Sequence, residues 1–145
     1  MIPIQRVVLP VPGIERLLVE AREEGYDFIE TLVEEWASAE NRFDAPGEAL
    51  CGHLEEGLLL AVGGLNRDPF AGRPDIARLR RVYVRPAWRN KGICRALVTA
   101  LVDQARKNFR CVRLRAENAD AARLYESMGF SPIQNPDATH ILFFD

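Results

Sequence analysis

Between Val82 and Leu97 the chain reads Val-Tyr-Val-Arg-Pro-Ala-Trp-Arg-Asn-Lys-Gly-Ile-Cys-Arg-Ala-Leu. A strand pattern gives way to a short basic turn with one glycine, Gly92, and then to an amphipathic helix. The first N–H groups of a helix have no acceptor inside it, and the helix dipole adds partial positive charge at that end. Arg89, Lys91 and Arg95 place full charges around the same point. Residues of these types in this order make an anion site out of backbone, suited to a phosphate. The turn lacks the Gly-Lys-Ser/Thr ending of a nucleoside-triphosphate loop and the three glycines of a dinucleotide fingerprint. Alone, it also fits an ordinary helix start with a basic surface. Cys94 reads first as a small buried residue on the helix stripe. A thiol at a helix start among cations is also a setting that lowers its pKa and exposes it to oxidants.

The elements that must position this turn follow from periodicity. Gln5 to Leu9 fits a first strand, stopped by Pro10 and Pro12. Ile14, Leu17, Leu18 and Ala21 fall at helical spacing, and Gly25 ends that helix as a cap. Asp27 can cap a second helix carrying Phe28, Leu32, Val33 and Trp36 on one face. Ala49 to Leu54 and Leu58 to Leu65 form a hairpin around Glu55-Glu56-Gly57. Gly63-Gly64 inside the second strand predicts a bulge or a close backbone approach. Arg67 to Pro74 is a loop, and Ile76 to Val84 a strand ended by Pro86. Cys94 to Lys107 is a helix with Leu97, Val98, Leu101, Val102 and Ala105 on one stripe. Val112 to Ala116 is a strand, Asn118 caps a helix from Ala119 to Met128 that Gly129 ends, and Ile141 to Phe144 is a last strand. The order is β-α-α-β-β-β-α-β-α-β. The strand–helix–strand unit around Arg95 to Arg110 requires a parallel pair, so the fold class is α/β (α+β): a mixed, mostly antiparallel sheet with helices on both faces.

With 145 residues, 48% of them hydrophobic and 28% charged, the chain has the make-up of one globular domain, residues 1–145. No apolar run approaches the length of a membrane span, and the N-terminus has no secretion-signal pattern. Cys51, Cys94 and Cys111 are an odd set at unrelated spacings, which favours reduced thiols and a cytoplasmic location. His53 and His140 stand near no cysteine pair at zinc spacing, so no metal is expected. The charge is uneven: between positions 15 and 48 eleven acids face three bases, and between 73 and 95 eight bases face one acid, Asp75. Two solvated faces would explain this. The functional reading is a basic half for a polyanionic ligand and an acidic half for a cationic one. Nucleic-acid binding is disfavoured, because the pI is about 5.8 and the arginine run has few interleaved aromatics.

A second segment narrows the reading: Asn118-Ala119-Asp120-Ala121-Ala122-Arg123-Leu124-Tyr125-Glu126-Ser127-Met128-Gly129-Phe130. Together the two segments, within residues 76 to 132, resemble the signatures of the GCN5-related N-acetyltransferase (GNAT) superfamily. Tyr83-Val84-Arg85-Pro86 and Arg89-x-x-Gly92-x-Cys94 fit its acetyl-CoA segment, Tyr-Val-x-Pro then Arg-x-x-Gly-x-Gly/Ala. The second segment matches Asn-x-x-Ala-x-x-Leu-Tyr-Glu-x-x-Gly-Phe at every position. The resemblance implies a splayed parallel strand pair, with the pantetheine arm of acetyl-CoA filling the gap. Val82, Tyr83 and Val84 would supply the strand edge. Arg89, Asn90, Lys91, Gly92, Ile93, Cys94 and Arg95 would take the pyrophosphate. Asn118 and Tyr125 would border the cofactor, and Tyr125 would protonate or hydrogen-bond the thiolate leaving group.

The chain departs from the family pattern twice. Cys94 stands where Gly or Ala is usual. Arg78 stands where many relatives carry a glutamate base, so the base cannot be carried over; Glu117, Asp75, Glu48, His53 and the acids of the first two helices remain candidates. The expectation is an acetyl-CoA-dependent N-acetyltransferase acting directly on an amine of a small molecule or peptide, with a cationic acceptor suggested by the acidic helices. Dimers are common among relatives, which makes a homodimer a further expectation. The loss of the glutamate keeps open a CoA-binding regulatory module without turnover.

Overall fold

The computed structural model describes residues 1–144. One seven-stranded sheet runs through it in the order β1-β2-β3-β4-β5-β7-β6. Its strands are β1 (Gln5–Arg6), β2 (Ala49–Glu55), β3 (Leu58–Arg67), β4 (Ile76–Val84), β5 (Cys111–Leu114), β6 (Ser131–Pro132) and β7 (His140–Phe143). The helices are α1 (Ile14–Glu23), α2 (Phe28–Ala37), α3 (Ile93–Asn108) and α4 (Ala119–Ser127), with a 3-10 turn over Pro86–Trp88. All neighbours pair antiparallel except β4 and β5. The mixed sheet with one parallel pair is the architecture the sequence implies.

Hydrophobic periodicity explains the layers. Leu97, Val98, Leu101 and Ala105 of α3 are buried against one face of the sheet, with Ala77, Leu79, Val112 and Leu114 beneath them. Leu17 and Ala21 of α1 and Ile29 and Leu32 of α2 cover the other face over Leu59, Val62 and Tyr83. Two glycines end helices as expected. Gly25 (φ +88°) and Gly129 (φ +100°) sit in the left-handed region. In each case the following N–H reaches back to the last turn, Tyr26 to Ala21 at 2.9 Å and Phe130 to Tyr125 at 3.1 Å.

Several local expectations are corrected. β1 has only two residues, because the chain before Pro10 keeps only the Val7 N–H bond to Leu50. Asp27 occupies the N-cap of α2, but its carboxylate makes no capping bond. β6 was not anticipated: two residues, one of them proline, carry no alternation to read. The bulge lies opposite the glycines. Val62 faces Tyr83 while Gly64 faces Arg80, so the extra residue is in β4, where Arg81 has φ +58°. Gly64 serves a close approach instead, since a Cβ there would lie 2.3 Å from the Phe43 ring.

The bulge and the parallel pair shape the cleft. β4 and β5 are in register only at Ile76–Cys111, Ala77–Val112 and Arg78–Arg113. Beyond that point β4 continues to Val84 with no strand among the described residues on its β5 side, so the sheet opens there.

Candidate active site

A cleft of about 840 Å³ occupies the opening, bounded by β4 from Arg78 to Val84, the start of α3, the end of β5 and α4. Of the site residues expected from sequence, Val82, Tyr83, Val84, Arg89, Asn90, Gly92, Ile93, Cys94, Arg95, Asn118 and Tyr125 all line it. Lys91 does not; it is exposed and stands outside the lining.

At one end the cleft is made of backbone. Arg85 N–H donates to Leu60 at 3.0 Å, so strand alternation turns the Val84 peptide groups the other way, into the opening. The α3 N-terminus has no side-chain cap. Its first bond runs from Ala96 N–H to the Gly92 carbonyl at 3.0 Å, leaving the N–H groups of Ile93, Cys94 and Arg95 without helical acceptors. Asn90 (φ +63°) and Gly92 (φ +86°) curl the chain into this start. A Cβ at Gly92 would meet only Ile2 Cδ1, at 3.5 Å, so its backbone angle, not crowding, calls for glycine. An unpaired strand edge beside an uncapped helix start fits a ligand with amides followed by phosphates.

Arg89 lines the cleft and also has a structural part. Its Nη1 and Nη2 hold Glu24 at 2.8 and 2.7 Å and its Nε donates to the Val84 carbonyl at 2.9 Å. It braces the turn against the end of α1. The hydrogen bonds from Arg89 help hold the Glu24 carboxyl below its usual range, although burial opposes this. Tyr83 Oη donates to the same carboxylate. Cys94 packs against the core, as its place on the helix stripe implies, and its pKa is not lowered: burial outweighs Arg89 and Arg95 and pushes the thiol up to about 11.

Tyr125 is buried, edge-on to Phe130 at 5.6 Å between ring centres. Its hydroxyl makes no hydrogen bond among the described residues, and burial, with smaller contributions from Cys94 and Glu117, raises its pKa. It is a neutral phenol holding its proton at the cleft wall. Asn118 Oδ1 caps α4 by accepting from Ala121 N–H at 2.9 Å, and its Nδ2 donates to Tyr26 Oη at 3.0 Å, tying α4 to the segment between α1 and α2. Glu126 faces outward to His140 Nε2 at 2.8 Å.

Among the four named candidate bases, only Glu117 lines the cleft. Desolvation by the surrounding walls raises its carboxyl pKa despite Arg115 and Arg81, and Asp27 adds to the rise. Asp75 is paired with Arg73, Glu48 accepts from Arg67 N–H, and His53 is fixed between the Pro3 carbonyl and Glu55. Arg78 is bound to Asp68 Oδ2 at 3.4 Å and to the Asp137 carbonyl at 2.6 Å, over the Phe70 ring.

The two charged halves meet each other. Glu20 pairs with Arg85 at 2.8 Å, Glu24 with Arg89 at 2.7 Å and Glu35 with Arg81 at 3.3 Å. Glu20, Glu24 and Glu35 are therefore paired with arginines of β4 and of the turn that follows it. What sequence reading missed is the arginine-rich far end of the cleft, lined by Arg78, Arg80, Arg81 and Arg115. The signal was the Arg78-Leu79-Arg80-Arg81 run, but only the ion-pair pattern separates satisfied from unsatisfied cations. Among the described residues no cluster of His, Cys, Asp and Glu could hold a metal ion, and no helix is long and apolar enough to cross a membrane.

Residues 13–130 match the family model of the acetyltransferase (GNAT) family. A structure described as an acetyltransferase from Exiguobacterium sp. 255-15 superposes with a TM-score of 0.88 at 28% identity, covering 99% of this chain and 93% of that one. The yncA structure from Salmonella typhimurium, solved with its cofactor acetyl-CoA, gives 0.61 at 22% identity over 81% and 74% of the two chains. In sequence, 53 residues are 40% identical to the L-methionine sulfoximine/L-methionine sulfone acetyltransferase of Salmonella typhimurium. That match spans 34% of this chain and about a third (31%) of the relative's length. The family uses acetyl-CoA, and the chain belongs to the GNAT family of acetyltransferases.

Proposed function

We propose that this acetyltransferase moves the acetyl group of acetyl-CoA directly onto an amine of a small molecule. The observation that carries the reading is that one cleft joins the open β4 edge, the uncapped α3 start, the unpartnered Tyr125 hydroxyl and the Glu117 carboxylate. Acetyl-CoA supplies the activated acyl group. The β4 edge aligns its amides, and the N–H groups of Ile93, Cys94 and Arg95 take its pyrophosphate. Glu117 accepts the proton the amine must lose, directly or through one water; its raised pKa brings it closer to neutrality, where a base is most effective. The amine nitrogen forms the new C–N bond, the C–S bond breaks, and Tyr125 Oη gives its proton to the departing thiolate. A high phenol pKa suits this step, since the proton stays on oxygen until negative charge develops on sulfur. The relative named for L-methionine sulfoximine and L-methionine sulfone supports amine transfer, because both compounds carry an α-amine.

The test is release of free CoA thiol from acetyl-CoA across a panel of amines, with Tyr125→Phe beside the wild type. The expected result is turnover on at least one amine, a fall in kcat of about 10³-fold in the variant, and the same CoA affinity by calorimetry. CoA binding without turnover on any amine, or an unchanged kcat in the variant, would overturn the reading.

A further inference from the structure

The far end of the cleft holds more cation than the protein itself uses. The β4 bulge turns Arg80 and Arg81 to the same face of the sheet, the face of α1 and α2, where Arg78 already lies. β5 adds Arg113 to that face and Arg115 follows at its end, opposite Val112 and Leu114, which pack toward α3. Asp68 takes Arg78 and Arg113, and Glu35 takes Arg81. Among the described residues Arg115 donates only to the Pro136 carbonyl. Arg80 is bonded only to Asn66 Oδ1, at 3.4 Å, and makes no ion pair among the described residues. Glu117 and Asp27 are the other acids nearby, and neither forms an ion pair with Arg80 or Arg115. The face has donors to spare: Arg81 Nε and Arg113 Nη2 are sealed from solvent without acceptors among the described residues, and of these two arginines Arg81 lines the cleft, as Arg80 and Arg115 do. Buried donors and buried charge are normally matched, and a surplus aimed at a cleft marks where a ligand supplies the missing acceptor.

We infer that the acceptor is an amine that also carries a carboxylate, bound by the guanidinium of Arg80 with Arg115 lining the same cleft, while its amino group faces Glu117 and the acetyl donor. The inference rests on the amine-transfer reading for its second half, whereas carboxylate recognition is a binding property that can be measured without turnover. A planar guanidinium matches a carboxylate with two parallel hydrogen bonds, and desolvation in the cleft makes each stronger than in water. Arg80 is well placed for this role, because burial and the neighbouring Arg81 and Arg78 charges lower its pKa to about 10 and an incoming carboxylate relieves both effects.

The experiment is calorimetric titration of the CoA-saturated protein with the twenty L-α-amino acids, β-alanine and 4-aminobutyrate. The same compounds as carboxamides, and as amines lacking the carboxylate, form the second arm. The expected result is that at least one acid binds and that its carboxamide binds roughly 10- to 100-fold more weakly. Arg80→Gln should lose that preference while keeping the Kd for CoA, which also certifies its fold. The inference is overturned if no acid binds, if the carboxamides and simple amines bind as well as the acids, or if Arg80→Gln keeps the preference. The comparison of acid with carboxamide uses the wild type, so it holds even if the variant does not fold. Equal turnover of acids and carboxamides would sink this inference alone; carboxylate-selective binding with no acetyl transfer would sink the amine-transfer reading alone.

Discussion

The two ends of the cleft are built from different materials. The α3 end is backbone: an unpaired strand edge, a left-handed Asn90 and Gly92, and three N–H groups that no side chain caps. The β4–β5 end is side chain: guanidinium groups held in place by one buried carboxylate and a few carbonyls. A backbone site needs little more than the right turn. A site made of buried arginines stands only if its counter-charges stand with it, because removing one partner strands the other in a medium that solvates it poorly. Binding at the first end and stability at the second should therefore separate under mutation.

The largest effect is expected at Asp68. Its side chain is 0% exposed, and the Arg78 and Arg113 side chains it holds are 8% and 9% exposed. Asp68→Ala should cost about 3–5 kcal/mol in urea unfolding, with CoA affinity unchanged at temperatures where the variant is folded. A loss below ~1 kcal/mol would mean the arginine end is not held this way. Burial alone would raise the Asp68 carboxyl, but hydrogen bonds from Arg113 and the Phe70 N–H, with the charges of Arg113 and Arg78, leave it net lowered. A depressed native pKa gives stability that is present above the unfolded-state value and lost as pH falls through the native one. Wild-type stability should thus decline in acid more steeply than that of the variant.

Next comes Glu117, which lies between the two ends. Glu117→Gln should lower kcat/KM about 10²-fold without moving CoA affinity. Because the carboxyl pKa is raised, wild-type kcat/KM should fall as pH drops through a limb above the ordinary carboxylate range, and the variant should lack that limb. A limb retained in the variant would assign the base elsewhere. The smallest effect is expected at Gly92. A β-branched residue there must adopt φ near +86° or distort the turn that aims the N–H groups of α3, so Gly92→Val should weaken CoA about 10-fold and leave the KM for the amine alone. Unchanged CoA affinity would remove the phosphate from this turn.

Most of the framework could be read in the residues. The stripe of Leu97, Val98, Leu101 and Ala105 gave α3, and Gly25 and Gly129 marked helix ends. Asn118 was a cap by chemistry alone, and the Tyr83–Cys94 and Asn118–Phe130 segments carried the family. These are short-range signals, written in periodicity, turn chemistry and local spacing. β6 left no trace, since two residues cannot show alternation. Gly63-Gly64 signals a bulge or a close approach without choosing between them: Gly64 has the close approach, and the register of β3 against β4 puts the extra residue at Arg81.

What the sequence determined by itself is therefore the order of the elements, the open turn before α3 and the identity of the residues around it. What only the tertiary structure decided is which charges remain available. Arg80, Arg81 and Arg89 are the same residue type within ten positions, yet Arg81 and Arg89 are neutralised by Glu35 and Glu24 from separate helices and Arg80 is not. Electrostatic interaction depends on distance and burial across the fold, and neither is a property of neighbouring letters. The same reason decides between the two readings of Cys94 in favour of the packed one: its cations are near, but desolvation is stronger.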